Sequence, residues 1–308
     1  MSNGDEPTHL LPAHRPYARL AAAERVDWIR QERWIQYTRA EEALARLGEL
    51  LAYPPHDRMP AMLLFGATGM GKTRLLQRFL REHGGNFDPR CGATAQPVVS
   101  MQMPPTPHER DFYEELLVAM GAAVPVKLSV SNLRQRVRVL ARQLGVRMLL
   151  IDEIHSMLSG TFREQRIFLN ALRFLANDLR LPLVCVGTPE AKQALLTDQQ
   201  LADRFEAREL PAWRDETAFH QFLASFEASL PLRQASGLRD LGLRKRILSL
   251  SEGITVRICR LLEEAAVQAI LSGRERIELE AAQRGVAGPQ PGVHFRAAAA
   301  RGAFPVNA

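Results

Sequence analysis

Ala61-Met62-Leu63-Leu64-Phe65 runs straight into Gly66-Ala67-Thr68-Gly69-Met70-Gly71-Lys72-Thr73. The first stretch is continuously apolar, which is how a strand buried on both faces of a parallel sheet reads. The second is G-x-x-x-x-G-K-[ST], the P-loop pattern, and a helix is expected to follow from Lys72 to about His83. Glycines let the backbone turn its N–H groups inward around phosphates, and the helix brings its positive end to the same point. Lys72 should reach the β- and γ-phosphates of ATP, and Thr73 should offer its hydroxyl to Mg²⁺. Gly66, Thr68, Gly69, Met70, Gly71 and Arg74 complete the expected cradle. A chance match in a glycine-bearing turn is the alternative, and it leaves the strand before and the helix after unexplained.

A second element supports the first. Leu149-Leu150-Ile151-Asp152-Glu153 is an apolar strand that ends in two acids. Packing gives no reason for acids at that point. Asp152 should hold Mg²⁺ through a water, and Glu153 should polarise the attacking water as general base. The bland alternative is that both merely open a solvated loop. His155 reads first as a structural histidine opening the next helix, with a metal or catalytic role as the alternative. Leu183 to Val186 is a further strand, closed by Gly187. Thr188 then ends it on the expected nucleotide side. Its hydroxyl suits sensing the γ-phosphate, capping a helix before Pro189, or both.

Outward from these motifs, the apolar run 97–101 is another strand, and helices are expected over 109–120, 132–144 (capped by Ser131) and 162–179. Strands alternating with helices imply a parallel sheet covered on both faces, an α/β fold. Residues 17–51 read as helical and are stopped by Pro54-Pro55. After Pro211 strand-like runs disappear, and helices are expected over 217–229, 238–250 and 256–271. The resulting division is a disordered N-terminus (1–16), a helical extension (17–55), a P-loop core (56–210), a helical lid (211–284) and a disordered tail (285–308) rich in Gly, Ala and Pro.

The bulk properties fit that division. The chain has 308 residues, 24% of them charged, with a net charge of +6. No apolar run reaches the roughly 20 residues a membrane-spanning helix needs. The N-terminus lacks the apolar region of a secretory signal. Three cysteines, Cys91, Cys185 and Cys259, show neither metal-ligand nor disulfide spacing. A cytoplasmic location is therefore expected. The basic balance suits DNA or an acidic protein surface equally well.

These residues resemble the AAA+ ATPases of bacterial transposons, most closely the TniB type, relatives of TnsC. The resemblance runs over residues 17–277. Its most specific stretches are Ile151-Asp152-Glu153-Ile154-His155, Phe168-Leu169-Asn170 through Asn177-Asp178-Leu179, Val186-Gly187-Thr188, and residues 197–205. The resemblance implies a three-layer αβα AAA+ core with a C-terminal helical lid. It implies a homo-oligomeric ring or filament that loads on double-stranded DNA regardless of sequence. It also implies a DDE transposase as partner, recruited or activated at the target, with a TniQ-type target-selection protein as a further partner.

On the same resemblance Arg204 matches the arginine-finger position, supplied to a neighbouring subunit, with Arg208 behind it as a backup that reads equally as a surface arginine. Arg257, in Gly253-Ile254-Thr255-Val256-Arg257, is the candidate lid sensor. The look-alikes carry a second glycine and an acid there, so a lid-surface arginine is the competing reading. The segment between the second and third strands faces the pore in the family, which makes Arg110, Lys127 and Arg134 the candidate DNA contacts. Arg134, Arg138 and Arg142 lie opposite the apolar face of their helix, and a solvated stripe is the ordinary explanation. Two other functions fit the same residues: a DNA-loading, replication-initiation ATPase of helicase-loader type, and a nucleotide-dependent scaffold with negligible turnover. Glu153 argues against the scaffold, because a pure binding switch needs no base.

Overall fold

The computed structural model describes residues 7–88, 93–124, 127–196 and 203–278. The chain opens with a 3-10 turn, Arg15–Arg19, then α1 (Ala22–Arg30) and α2 (Thr38–Ala52). The P-loop unit follows as β1 (Ala61–Phe65) and α3 (Lys72–His83). A small antiparallel pair, β2 (Asn86–Asp88) and β3 (Ala93–Ala95), precedes β4 (Val98–Gln102). Then come α4 (Glu109–Ala119), α5 (Val130–Gln143) and β5 (Met148–Asp152). A short 3-10 helix, Ile154–Ser159, leads to α6 (Phe162–Leu179) and β6 (Leu183–Gly187). α7 (Pro189–Leu196) and β7 (Phe205–Glu209) close the sheet. After β7 every described element is a helix: α8 (Thr217–Ser229), α9 (Leu241–Ser251) and α10 (Thr255–Leu271).

The main sheet has five strands in the order β4-β5-β6-β1-β7, and each pairing within it is parallel. Side chains alternate along a strand, so each strand feeds two cores. Met62, Leu64, Leu150 and Val184 face a cluster that contains Leu75 and Phe79 of α3, Leu47 of α2 and the lid residues Phe222 and Leu262. Ala61, Leu63, Phe65, Ile151 and Cys185 face the other, with Phe112, Leu133 and Phe168 of α4, α5 and α6. Helices thus cover both sides, the three-layer P-loop NTPase arrangement expected from the strand–helix alternation. Lid and core share the first of these clusters. No helix among the described residues is long and apolar enough to cross a membrane.

Several expectations need correction. Residues 7–16 are not disordered: Leu10 is buried and the Leu11 amide donates to Ala228 O at 3.0 Å, which ties this segment to α8. The helical reading of 17–51 is broken by an extended stretch between α1 and α2. α1 packs on α10, and Arg25 makes a buried bidentate pair with Glu275, both contacts at 2.7 Å. The helix expected at 132–144 begins earlier: its cap is the Ser129 hydroxyl, accepting from the Asn132 amide at 3.2 Å, not Ser131. β7 has no counterpart in the sequence reading. Of its five residues only Phe205 is buried, so it shows none of the apolar run that marked the other strands. Residues 197–202 of the specific 197–205 stretch, and the expected tail 285–308, lie outside the described residues.

Candidate nucleotide site

The P-loop leaves β1 at Gly66 and turns through Gly69 (φ 82°) and Gly71 (φ 92°), a backbone region that suits glycine. Gly71 caps α3, so Lys72 and Thr73 open the helix. Lys72 is 7% exposed, and its ammonium donates to Gly66 O at 2.7 Å and Ala67 O at 2.9 Å. Burial pulls its pKa below the ordinary lysine value, against the opposing pull of Glu153 and Asp152. Two carboxylates, Glu153 and Asp152, therefore act on the ammonium electrostatically. Met70 differs from its neighbours: its side chain is buried in the core, so it could offer a ligand only its backbone. Thr68 is exposed, and Arg74 pairs with Glu32 of the segment between α1 and α2.

β5 delivers the acids to the same place. The Thr73 hydroxyl donates to Asp152 Oδ2 at 2.7 Å, and Asp152 Oδ1 accepts the Glu153 amide at 2.8 Å. Glu153 itself adopts a left-handed backbone (φ 55°, ψ 35°), and its Oε2 lies 3.1 Å from His155 Nε2. At the end of β6 the Thr188 hydroxyl bonds the Glu190 carboxylate, the main reason that carboxyl sits below the usual range. Thr188 O also accepts the Ala191 amide at 3.1 Å, as a residue opening α7 does. Glu190 escaped the sequence reading, although Thr188-Pro189-Glu190 is a helix-start pattern that could have marked it.

The lid reaches the loop directly. The Val256 amide at the start of α10 donates to Gly69 O at 2.9 Å. A Cβ on Gly69 would meet Val256 Cγ1 at 2.7 Å. Arg257 is the next residue along, with its guanidinium paired to Glu252 at 2.7 Å. Arg204 lies at the other end of the sheet. Its carbonyl accepts the Ala61 amide at 3.0 Å, so it flanks the start of β1, while the P-loop follows its end. At ~3.3 Å per residue, β1 separates Arg204 from its own loop by roughly 17 Å. Its guanidinium donates to Asn177 Oδ1 at 2.7 Å, and burial, with Arg58 and Arg173 nearby, lowers its pKa. Arg208 lies within β7, 3.4 Å from Glu206.

The candidate DNA contacts differ in how each is held. Arg110 donates to Glu114 at 2.8 Å and to Leu128 O, pinning the loop after α4. Lys127 is exposed, on left-handed backbone (φ 79°). The arginine stripe of α5 is not simply solvated. Arg134 lies over the Phe174 ring at 5.4 Å, and Arg138 and Arg142 both bond Asp178 of α6. These bonds, those of Arg138 first, hold the Asp178 carboxyl below its ordinary range.

A hard cation such as Mg²⁺ takes oxygen ligands and keeps much of its shell for water and phosphate. Thr73 Oγ1 and Asp152 Oδ2 already stand within hydrogen-bond reach of each other and fit such an ion. No cluster of three or more His, Cys, Asp or Glu side chains able to hold a metal occurs among the described residues.

Solved structures similar to this chain share its fold. The ORC2 protein of Aeropyrum pernix, in its ADPNP–ADP complexes, matches with a TM-score of 0.58 at 16% identity, over 84% of this chain and 71% of that one. The Cdc6p of Pyrobaculum aerophilum matches with a TM-score of 0.57 at 17% identity, over 82% and 68%. The ORC1 protein of Aeropyrum pernix in complex with DNA matches with a TM-score of 0.54 at 19% identity, over 84% and 69%. No curated protein matches the chain in sequence. The family model described as the bacterial TniB protein matches residues 25–215, from α1 through the whole sheet to the threshold of the lid. That span is more than half of the chain and contains the P-loop, Asp152, Glu153 and Arg204: the chain belongs to the TniB family.

Proposed function

We propose that this protein binds ATP with Mg²⁺ at the P-loop and hydrolyses it in a homo-oligomer assembled on double-stranded DNA, where it regulates transposition. The observation that carries the nucleotide chemistry is the 2.7 Å bond between Thr73 and Asp152, which brings P-loop and β5 to one point. Lys72 exchanges its two carbonyl partners for β- and γ-phosphate oxygens. Thr73 and Asp152 would hold the metal, which when bound would supply charge neutralisation on the phosphates. Glu153 accepts a proton from water as the water oxygen bonds to the γ-phosphorus. The bond from phosphorus to the bridging β–γ oxygen breaks, leaving ADP and inorganic phosphate. Thr188 senses the γ-phosphate, and Arg257 answers from the lid. Arg204, roughly 17 Å from its own loop, serves a neighbour's site, which is why assembly and turnover go together.

Family membership supports the transposition role, with a DDE transposase and a TniQ-type protein as partners in the bacterial cytoplasm. The ORC1 structure with DNA is similar in fold, which suits a DNA-bound assembly and equally suits a helicase-loader reading. Electron microscopy with and without ATP and duplex DNA, paired with phosphate-release assays, tests the proposal. ATP-dependent rings or filaments on DNA are expected, with Lys72→Ala losing nucleotide binding and Glu153→Gln keeping it but turning over slowly. Assembly with negligible release would favour a nucleotide-dependent scaffold. Stimulation by a helicase and not by a transposase would favour the loader.

A further inference from the structure

Glu153 and His155 lie two residues apart, and the chain between them is bent. The left-handed backbone at Glu153 (φ 55°) is a conformation that side-chain-bearing residues keep only where their surroundings hold them in it. It turns the carboxylate toward the 3-10 helix that follows, where Oε2 meets His155 Nε2 at 3.1 Å. The other ring nitrogen, Nδ1, is buried and has no hydrogen-bond partner. A proton on Nδ1 would be a buried donor without an acceptor. It would also leave a bare Nε2 lone pair facing a carboxylate. The neutral ring with its proton on Nε2 avoids both, and it places that nitrogen 3.1 Å from the Glu153 carboxylate. Its platform is firm: Ile154 and Met157 of the same short helix are fully buried, and Ile154 lies against Gly187 at the end of β6.

We infer that His155 is a positioning residue for Glu153. It fixes one carboxylate oxygen through its Nε2–H and leaves the other as the face that takes the proton from water. A base oriented by a third group is the arrangement that lets a carboxylate act without searching rotamers. The inference rests on the ATP-hydrolysis reading above.

The test uses the full-length protein with duplex DNA. His155→Ala should lower kcat by about tenfold or more while leaving KM and the affinity for a slow ATP analogue unchanged. His155→Gln, whose amide can present an N–H on the same side, should recover most of that loss. In a Glu153→Gln background, His155→Ala should cost nothing more, because the group it orients is already gone. NMR of the ¹⁵N-histidine-labelled protein, with the His155 signals assigned through His155→Gln, should show a proton on Nε2 and a shift when Glu153 becomes Ala. Unchanged kcat in His155→Ala, or an equal loss in both backgrounds, would overturn the inference. A proton on Nδ1 would do so even if His155→Ala fails to fold. If wild-type protein releases no phosphate, or Glu153→Gln matches it, the hydrolysis reading falls first and takes this one with it.

Discussion

The Thr73 hydroxyl and the Asp152 carboxylate touch at 2.7 Å, although they come from a helix start and a strand end far apart in sequence. If this pair holds Mg²⁺, then Asp152→Asn should remove most of the metal's help to nucleotide binding. Calorimetric titration of ATP with Mg²⁺ and with EDTA should differ by about tenfold or more in wild-type affinity, ~1.4 kcal/mol or greater. In Asp152→Asn the two titrations should converge. Retention of the full metal effect in that variant would place the ion elsewhere.

Lys72 adds a pH dependence with a definite sign. Burial lowers its pKa in the empty protein from the ordinary 10.5. Between the lowered value and 10.5 the unfolded chain holds more proton at this site than the folded one, so stability rises with pH there. Below that window the unfavourable burial of the ammonium is present in full. The melting temperature of nucleotide-free wild type, measured against Lys72→Met, should therefore gain as pH climbs through the window. A gap that shrinks with rising pH would contradict the assignment of burial as the dominant cause.

Arg204 should matter only between copies. Arg204→Ala should bind ATP almost normally and lose turnover by ~10³ in the assembly, the usual scale for a finger supplied in trans. Mixing it with Glu153→Gln protein should restore part of the rate, since some interfaces then pair an intact base with an intact arginine. No recovery at any ratio, in a mixture shown to co-assemble, would rule out a site shared in this way.

For DNA, Lys127→Ala and Arg134→Ala should weaken ATP-dependent binding to unrelated duplexes alike. Each should flatten the salt slope by ~1 for every phosphate that is no longer neutralised. Arg110→Ala mixes two effects, because its guanidinium also pins Leu128 O. Arg138→Ala should leave the salt slope alone yet lower the melting temperature, since it breaks the bond from α5 to Asp178. Fluorescence anisotropy at two salt concentrations and thermal melts separate these outcomes. Tight binding without nucleotide would instead indicate a DNA-reading element outside the candidate residues.

The chemistry-bearing stretches were legible because their signals are local. An apolar run ending in glycines, and another ending in two acids, state both the strand and its terminal groups within a few residues. Contacts set by distant partners were not legible. Nothing near Arg204 in sequence announces Asn177, nothing near Arg110 announces Leu128 O, and the seat of Val256 on Gly69 joins the lid to a loop formed much earlier in the chain. β7 stayed hidden for a different reason. It is an outer strand whose charges and small area of burial resemble a loop. The 3.1 Å approach of His155 to Glu153 accompanies a backbone turn that residue identity does not reveal.

That outer strand also bears on what can pair with the sheet. Glu206, Arg208 and Glu209 line β7 where an uncharged edge would invite another chain to add its own strand and spread the sheet without limit. Arg46 of α2 bonds Glu206 at 2.7 Å and holds a helix beside that edge. Growth by backbone templating is discouraged at this end of the sheet, so a neighbour meeting it would have to rely on individual side chains.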